Sequence, residues 1–566
     1  MAGVDALPPS SATDDLFDDI ELDPRRWLTL GILITTVILI AVDTSVLNVS
    51  IPTILRDFDT TVPTLQWVIT GYSLTFATLL IVGGRLGDIY GHRRLFLIGV
   101  SLFGIGSFVA SEAGSVGELI IGEAIIEGIG AALMTPATLS ILSTTFRGRE
   151  RATAFAAWGA AAGAAVAFGP VLGGFLTTNY SWRWSFRINV VVAPIAVIGA
   201  FVLMKAGKRK ARTPIDIPGA ALIALGLFLI VFALSDGGRY GWFAPIDEFR
   251  VGGITIWPAS MPIGIVPVSA LIGTALLVGF VRLERSKERR EAHPLFQLSM
   301  MEHKTFRYGL LTLLILAMGQ LGLLLALPLF LQDAVHLSAQ ENGLWLLPLG
   351  LFVIVGSQVG GRLTLRFSTT TVVRIGLSIE AFSLLLVIWA VTPDITFWRI
   401  LPGLAVFGIG LGFASSQLTS VILSEIAIDR SGVASGASST ARQIGAALGA
   451  AVIGSLITVQ TTNNAVSALG GMTDLPDEAR TAALAGVRAF GPSFRPTATL
   501  PLDQIARIEA VIGQSLADAT RIALAFAAAL VALGALASFL IPRHHPSSQM
   551  IIEIPVASAA VEAEVQ

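Results

Sequence analysis

The chain has 566 residues, of which 54% are hydrophobic and only 13% are charged, and its formal net charge is −2. Soluble domains carry about 25% charged residues, so this composition excludes intrinsic disorder and a set of soluble domains, and the net charge argues against nucleic-acid binding. The lack of cysteine excludes disulfides, thiolate metal sites and cysteine catalysis. With a mean hydropathy of +0.75, the sequence predicts an all-α polytopic membrane protein.

Fourteen long apolar runs follow one another along the chain between two polar ends. Residues 1–27 and 542–566 are expected to be disordered cytosolic tails. Because lipid cannot satisfy an exposed strand edge, each run is predicted to be a helix. The predicted spans lie near 28–50, 65–83, 95–113, 118–142, 152–176, 188–204, 218–234, 263–283, 308–332, 343–361, 371–391, 399–423, 432–459 and 521–541.

Lysine and arginine fix the predicted orientation of these spans. With the amino terminus inside, the predicted cytosolic segments hold more than twice as many basic residues as the predicted outside segments, so both termini are predicted to be cytosolic. Outside the membrane, residues 235–262 predict a small extracellular hairpin. The extracellular insertion 460–520 contains two helix-like stretches, near 476–489 and 501–519. It is interpreted as a surface cap or, alternatively, as a gate or membrane-surface element beside an exit path.

An internal repeat divides the chain. The run Gly83-Gly84-Arg85-Leu86 recurs 277 residues later as Gly360-Gly361-Arg362-Leu363, and Gly99 falls on Gly376 at the same offset. The repeat predicts two six-helix bundles, 28–204 and 308–541, with two inserted spans in the linker 205–307. Two such repeats are typical of transporters with a substrate site between the halves.

Two motifs carry a family resemblance. The loop after the second span places Gly84, Gly87, Asp88, Gly91, Arg93 and Arg94 in the run GRLGDIYGHRR, and the fifth span ends with Gly169, Pro170, Gly173 and Gly174. The loop resembles the signature loop of the major facilitator superfamily, and the second motif resembles its antiporter signature. The chain as a whole resembles the fourteen-span drug:proton antiporter family. This resemblance rests on the fourteen predicted spans, on the end of span 1 and on the run at residues 182–189.

The resemblance implies a major-facilitator fold and a plasma-membrane exporter that works by alternating access. It implies lipophilic, cationic small molecules as substrates, a monomer in the bilayer, and no cofactor beyond a proton gradient, with sodium left open as the coupling ion. The proline and glycines of span 5 predict a thin, bendable helix suited to a rocking gate. At span 4, Ala124 occupies the position of the family's arginine, while Glu123 and Glu127 keep that helix ionisable.

Carboxylates inside spans are expensive and are functional hypotheses by default. Asp43 lies in the outer half of span 1, and Glu123 and Glu127 are one turn apart on span 4 and so share a face. Because spans 1 and 4 line the central cavity in the resembled fold, these three residues are expected to converge as a proton-coupling and cation-binding site.

Other intramembrane residues receive more modest predictions. Glu380 in span 11 is expected to meet the inserted spans or a polar partner, and Arg442 in span 13 is expected to form a gate ion pair. Aromatic rings can cradle a cation, and several aromatic and amide residues are predicted to line the cavity. They are Asn48, Trp67, Tyr72, Phe76, Trp158, Gln320 and Gln417.

The energy source and the competing functions follow from what the sequence contains. It has no GxxxxGK[ST] run, so a proton gradient rather than ATP is expected to drive export. A lipid or glycolipid translocator on the same fold is the second hypothesis, motivated by the 460–520 insertion and Glu380. A membrane sensor or enzyme is the remote third, because no metal-ligand spacing or nucleophile motif occurs.

Overall fold

The computed structural model describes residues 24–146, 148–204, 216–251, 254–290, 294–364, 366–426, 431–472, 475–496 and 500–542. The helices of the first half and the inserted pair are α1 (Arg26–Asp57), α2 (Val62–Tyr90), α3 (His92–Ser111), α4 (Val116–Leu119, Ile120–Glu127 and Gly128–Thr145 in one run), α5 (Gly148–Asn179), α6 (Trp184–Leu203), α7 (Ile217–Tyr240) and α8 (Ile265–Arg289). Those of the second half are α9 (Lys304–Asp333), α10 (Ala339–Leu363), α11 (Thr369–Ala390), α12 (Phe397–Leu423), α13 (Ser431–Gly471), α14 (Asp477–Phe490) and α15 (Leu502–Ser538).

The long helices coincide with the predicted spans. Within the described residues, α1–α13 and α15 each overlap one of the fourteen apolar runs. Twelve candidate spans are long and apolar enough to cross a membrane, and α2 adds a shorter apolar stretch, Trp67–Leu80. The all-α membrane fold is therefore confirmed, whereas the count of fourteen crossings and the cytosolic termini stay predictions.

Two bundles face each other. In the first, α1 packs on α5 and α6, α2 on α4, and α3 on α4 and α6. In the second, α9 packs on α13 and α15, α10 on α12, and α11 on α12 and α15. The bundles meet where α5 contacts α10, α2 contacts α13, and α1 contacts α9. Any site between the halves is therefore bounded by these helices.

The same glycine crossing occurs in both bundles. A Cβ added to Gly99 of α3 would lie 2.8 Å from the carbonyl oxygen of Gly130 on α4. A Cβ added to Gly376 of α11 would lie 2.9 Å from the carbonyl oxygen of Gly410 on α12. Because Gly99 and Gly376 are the two residues that the sequence repeat pairs, the structure reproduces the repeat in three dimensions.

The inserted helices lie beside the seam between the bundles. Helix α7 packs on α2 from the first half and on α13 from the second, while α8 packs on α7. Between α7 and α8, strands β1 (Phe249–Val251) and β2 (Ile254–Trp257) pair antiparallel, with Val251 opposite Ile254. The ring of Phe249 packs edge-on against Phe232 and Tyr240 of α7. The predicted strand pair is therefore present, and its extracellular location stays a prediction.

The 460–520 insertion is helical. Helix α13 continues twelve residues beyond the predicted end of its span, and α14 and the start of α15 match the two predicted stretches. A small apolar cluster joins them: Ala465, Leu469, Leu475, Ala483, Val487, Ile508 and Ile512. Arg495 ties the insertion to the end of α9 through an ion pair of 2.6 Å with Asp333. The insertion is thus attached to the end of α9, and its role as a cap, a gate or a membrane-surface element stays a prediction.

Candidate functional site

Three carboxylates meet inside the first bundle. Asp43 comes from α1, and Glu123 and Glu127 come from α4; one carboxylate oxygen of each lies within 4.8 Å of the other two. All three side chains are buried, with at most 2% of each residue exposed. The structure therefore brings together the three residues that the sequence singled out. We call Asp43, Glu123 and Glu127 the acidic triad.

The part of α4 that carries two members of the triad is a π-helix. The segment Ile120–Glu127 has i→i+5 backbone hydrogen bonds and lies between α-helical turns on both sides. Sequence periodicity predicted an ordinary α-helix here, so the wider turn is a correction. Glu123 and Glu127 still lie on one face, because four residues remain close to one turn.

Helix α6 supplies the hydrogen-bond donor to the acidic triad. The Asn189 side-chain amide donates to Asp43 Oδ1 at 2.7 Å. The other Asp43 oxygen, Glu123 Oε2 and both Glu127 oxygens are buried without a hydrogen-bond partner among the described residues. No described basic side chain forms an ion pair with the triad. Its negative charge therefore has no protein counter-charge in the part of the chain that the structure describes.

Two further polar groups face the acidic triad. The Tyr72 hydroxyl of α2 is buried and has no hydrogen-bond partner among the described residues, and it lies close enough to interact electrostatically with all three carboxylates. The Ser107 hydroxyl of α3 lies beside Glu127. Carboxylate oxygens at this spacing, with a phenol and an amide nearby, are able to share protons or to hold a cation. Phe76 packs against the Tyr72 ring, with centroids 5.9 Å apart.

Sequence reasoning missed Asn189 and Ser107 as members of the site. An asparagine in an otherwise apolar span is costly unless it is paired, and that signal was present for Asn189. Ser107 gave no signal, because serine is common in membrane helices. The contacts between helices, which the sequence does not specify, decide both assignments.

Ala124 of α4 lies in a close contact with α2. Ala124 is 1% exposed, and a Cβ added to Gly71 of α2 would lie 2.8 Å from its Cβ. The two helices therefore touch at this point. An arginine side chain has no room there unless α2 and α4 separate.

Comparison with known proteins decides the family. Residues 33–450 match the sequence model of the Major Facilitator Superfamily. The chain belongs to this superfamily. It is a multi-pass transporter of the plasma membrane and not an enzyme.

Several relatives of this transporter are named as antibiotic-resistance or export proteins. It is 33% identical over 439 residues to a probable actinorhodin transporter of Streptomyces coelicolor, an alignment that covers 76% of this chain and 72% of the relative. It is 28% identical over 545 residues to the tetracenomycin C resistance and export protein of Streptomyces glaucescens, covering 94% and 95%.

Among solved structures, the transporter resembles an inward-facing bacterial homolog of the human lysosomal transporter Spinster. The TM-score is 0.59 at 16% identity, and the match covers 92% of this chain and 98% of that chain. At this identity the likeness establishes the major-facilitator fold alone.

The predicted signature loop is mostly helical: α2 continues to Tyr90 and α3 begins at His92, so Gly84 and Gly87 lie in the last turns of α2 and not in a loop. Gly91 separates the two helices with φ of 95°, a conformation that L side chains rarely adopt. Gly87 lies under the His92 ring, where a Cβ would come 2.5 Å from Nδ1. Arg93 donates to the carbonyl oxygen of Phe201 at 2.6 Å and so caps the end of α6. Arg94 is exposed, and the Asp88 side chain lies outside the described part of the structure.

The antiporter motif of α5 forms a close contact between the bundles. A Cβ added to Gly174 would lie 2.2 Å from the carbonyl oxygen of Ala339 on α10, and one added to Gly343 of α10 would lie 2.2 Å from that of Pro170. A Cβ on Gly173 would lie 2.8 Å from Val46 of α1. Gly169 is also buried. The glycines of the motif therefore let the backbone of α5 approach both α10 and α1 closely.

The remaining predicted residues lie apart from the acidic triad or have no contact with it that the structure describes. Trp67 donates to Asp236 of α7 at 2.9 Å and packs on Phe228, so it belongs to the interface with the inserted helix. Trp158 and Gln417 are half-buried. The side chain of Asn48 lies outside the described part of the structure.

Two charged residues in the second bundle complete the set. Glu380 is fully buried and accepts a long hydrogen bond from Gln320 of α9, at 3.4 Å. The sequence predicted either a polar partner or the inserted helices as the neighbour of Glu380, and the described contact is with a polar partner. Arg442 is half-buried, and no described carboxylate pairs with it, so the gate ion pair stays a prediction.

Proposed function

We propose that this transporter exports lipophilic, cationic small molecules in exchange for protons, by alternating access between its two bundles. The observation that carries the proposal is the acidic triad, buried without a protein counter-charge among the described residues. Relatives named for actinorhodin transport, puromycin resistance and tetracenomycin C export support the direction of transport.

Electrostatics gives the triad its role. Three carboxylates within 4.8 Å cannot all be ionised in a buried site without a counter-charge, because desolvation and mutual repulsion each cost several kcal/mol. The triad therefore holds protons or a cation. A positively charged substrate can replace the protons, and the protons can replace the substrate. Competition for one negative site is sufficient for antiport.

The gradient supplies the energy. Moving one elementary charge across 100 mV yields about 2.3 kcal/mol, and no cofactor besides the coupling ion is proposed. Protons are favoured as that ion, because they need no coordination shell beyond the triad and its hydroxyl neighbours. Exchange also requires the bundles to separate where Gly174 meets α10 and to close at the opposite end.

The test is transport in proteoliposomes with an imposed pH gradient and a lipophilic cation such as ethidium. Wild type is expected to move ethidium against its gradient while protons move the other way. Asp43→Asn and Glu127→Gln are expected to lose coupled transport, because each removes an ionisable oxygen pair from the triad. Glu118→Gln is the matched control, since Glu118 is an exposed carboxylate on the same helix.

Three outcomes discriminate the alternatives. Coupled transport by Asp43→Asn at the wild-type rate contradicts the proposed coupling site. Transport that follows a sodium gradient and does not depend on pH identifies sodium, and not the proton, as the coupling ion. Absence of any drug-driven proton flux, together with a lipid that copurifies with the protein, favours the lipid or glycolipid translocator.

A further inference from the structure

Four arginines and one serine line a surface depression at the polar end of the inserted helix α8. Arg282, Arg285 and Arg289 are spaced by three and four residues and so share one helix face, and Arg290 follows at its edge. All four arginines are exposed. With Ser286 they line a depression of about 410 Å³. We call Arg282, Arg285, Arg289 and Arg290 the arginine face.

The arginine face continues the outward apolar side of α8. Leu271 is 72% exposed and Val278 is 43% exposed. Arg285 follows Val278 by seven residues, as Val278 follows Leu271, so the three side chains stand in one column two turns apart. Apolar side chains that point away from the protein on a membrane helix face lipid. The arginines therefore stand where a lipid-facing column leaves the hydrocarbon.

The acidic residues of α8 are turned away from this face. Glu284 is fully buried and accepts a hydrogen bond from the backbone N–H of Phe296 at 2.8 Å. Glu288 accepts one from the backbone N–H of Ser299 at 3.0 Å. Lys287 pairs with Asp216 at the start of α7. Within residues 254–290 and the other described ranges, no carboxylate forms an ion pair with the arginine face, and its four side chains are exposed.

Basic residues are common at the cytosolic end of a membrane span. This tendency concerns the number of basic residues and does not determine which helix face they occupy. Here the positive side chains share the lipid-facing column, and the negative ones are held by the protein. Guanidinium groups match phosphate oxygens with paired hydrogen bonds. We propose that the arginine face binds the phosphate headgroups of anionic phospholipids in the adjoining leaflet.

The experiment measures lipid binding by the full chain in detergent, with phosphatidylglycerol against phosphatidylcholine, by native mass spectrometry. The test variant is Arg282→Gln/Arg285→Gln/Arg289→Gln. The matched control is Lys304→Gln/Arg307→Gln/Arg366→Gln, which removes the same charge from exposed positions elsewhere. A third variant, Arg282→Lys/Arg285→Lys/Arg289→Lys, keeps the charge and tests whether the guanidinium geometry is needed.

Wild type is expected to retain phosphatidylglycerol over phosphatidylcholine. The test variant is expected to lose about 100-fold of that affinity, because each of the three basic residues near an anionic lipid surface contributes roughly five-fold. The control triple is expected to keep it, and the third variant to fall between. Sodium phosphate is expected to compete weakly, since it lacks the acyl chains. Equal binding by wild type and the test variant, or equal loss in the control, overturns the proposal.

Discussion

The contact between α5 and α10 predicts that one methyl group will shift the balance between conformations. The perturbation is Gly174→Ala. The added Cβ would lie 2.2 Å from the carbonyl oxygen of Ala339 and 2.8 Å from its carbonyl carbon. These atoms belong to the backbone, so no side-chain rotation relieves the clash.

The size of the effect follows from these distances. Ordinary van der Waals contact begins near 3.4 Å, so α5 and α10 have to separate by about 1 Å at this point. Overpacking of this kind costs about 1–3 kcal/mol. The cost falls only on the conformation in which the two helices touch, so the closed-to-open ratio at this end is expected to fall about 5- to 150-fold.

Cross-linking measures that ratio, because the chain contains no cysteine and an introduced pair reacts without background. The backbone N–H of Gln340 donates to Thr178 Oγ1 at 2.9 Å, so a Thr178→Cys/Gln340→Cys pair reports closure. Gly174→Ala is expected to slow disulfide formation in proportion to the lost closed population. Gly31→Ala is the control, since nothing lies within 4 Å of its Cβ position. Equal cross-linking in Gly174→Ala and wild type refutes the reasoning.

Two further predictions concern stability. Ala124→Arg is expected to lower the folded yield and to cost more than about 3 kcal/mol in thermal unfolding, because the side chain has to enter the contact with Gly71; an unchanged Tm contradicts this packing. The Trp182 indole N–H donates to Asp57 at 2.8 Å and, with a neighbouring guanidinium, holds the pKa of Asp57 below its ordinary value of 3.8. This stabilisation is present above the ordinary pKa of 3.8 and is lost only as the pH falls through the lowered pKa. Asp57→Asn is therefore expected to lower the Tm at pH 7, and its difference from wild type is expected to disappear only below that lowered pKa. Asp59→Asn, at a positive φ that asparagine tolerates, is the control. A difference in Tm between Asp57→Asn and wild type that does not change with pH argues against the ion pair of Asp57 with Arg183, at 2.9 Å.

Much of the architecture could be predicted from the sequence, since hydrophobic run length, the repeat of Gly83–Leu86 and the signature loop are all local patterns. The same holds for the members of the acidic triad. Carboxylates in apolar runs are conspicuous because their cost has to be met by a function or a partner.

The details of the site could not be predicted, because they depend on contacts between distant segments. The π-helical segment of α4, the Asn189 donor and the position of Trp67 against α7 follow from how the helices cross. The pairing of Glu380 with Gln320 joins residues sixty positions apart. A single sequence specifies which faces are apolar but not which neighbour each face meets.

The central claim is that the acidic triad exchanges protons for a cationic substrate. The most direct measurement is proton release when ethidium binds the detergent-solubilised protein in a weakly buffered solution, followed with a pH indicator. Wild type is expected to release protons on binding, and Asp43→Asn/Glu123→Gln/Glu127→Gln is expected to release none. Proton release by the triple variant equal to that of wild type would contradict the account.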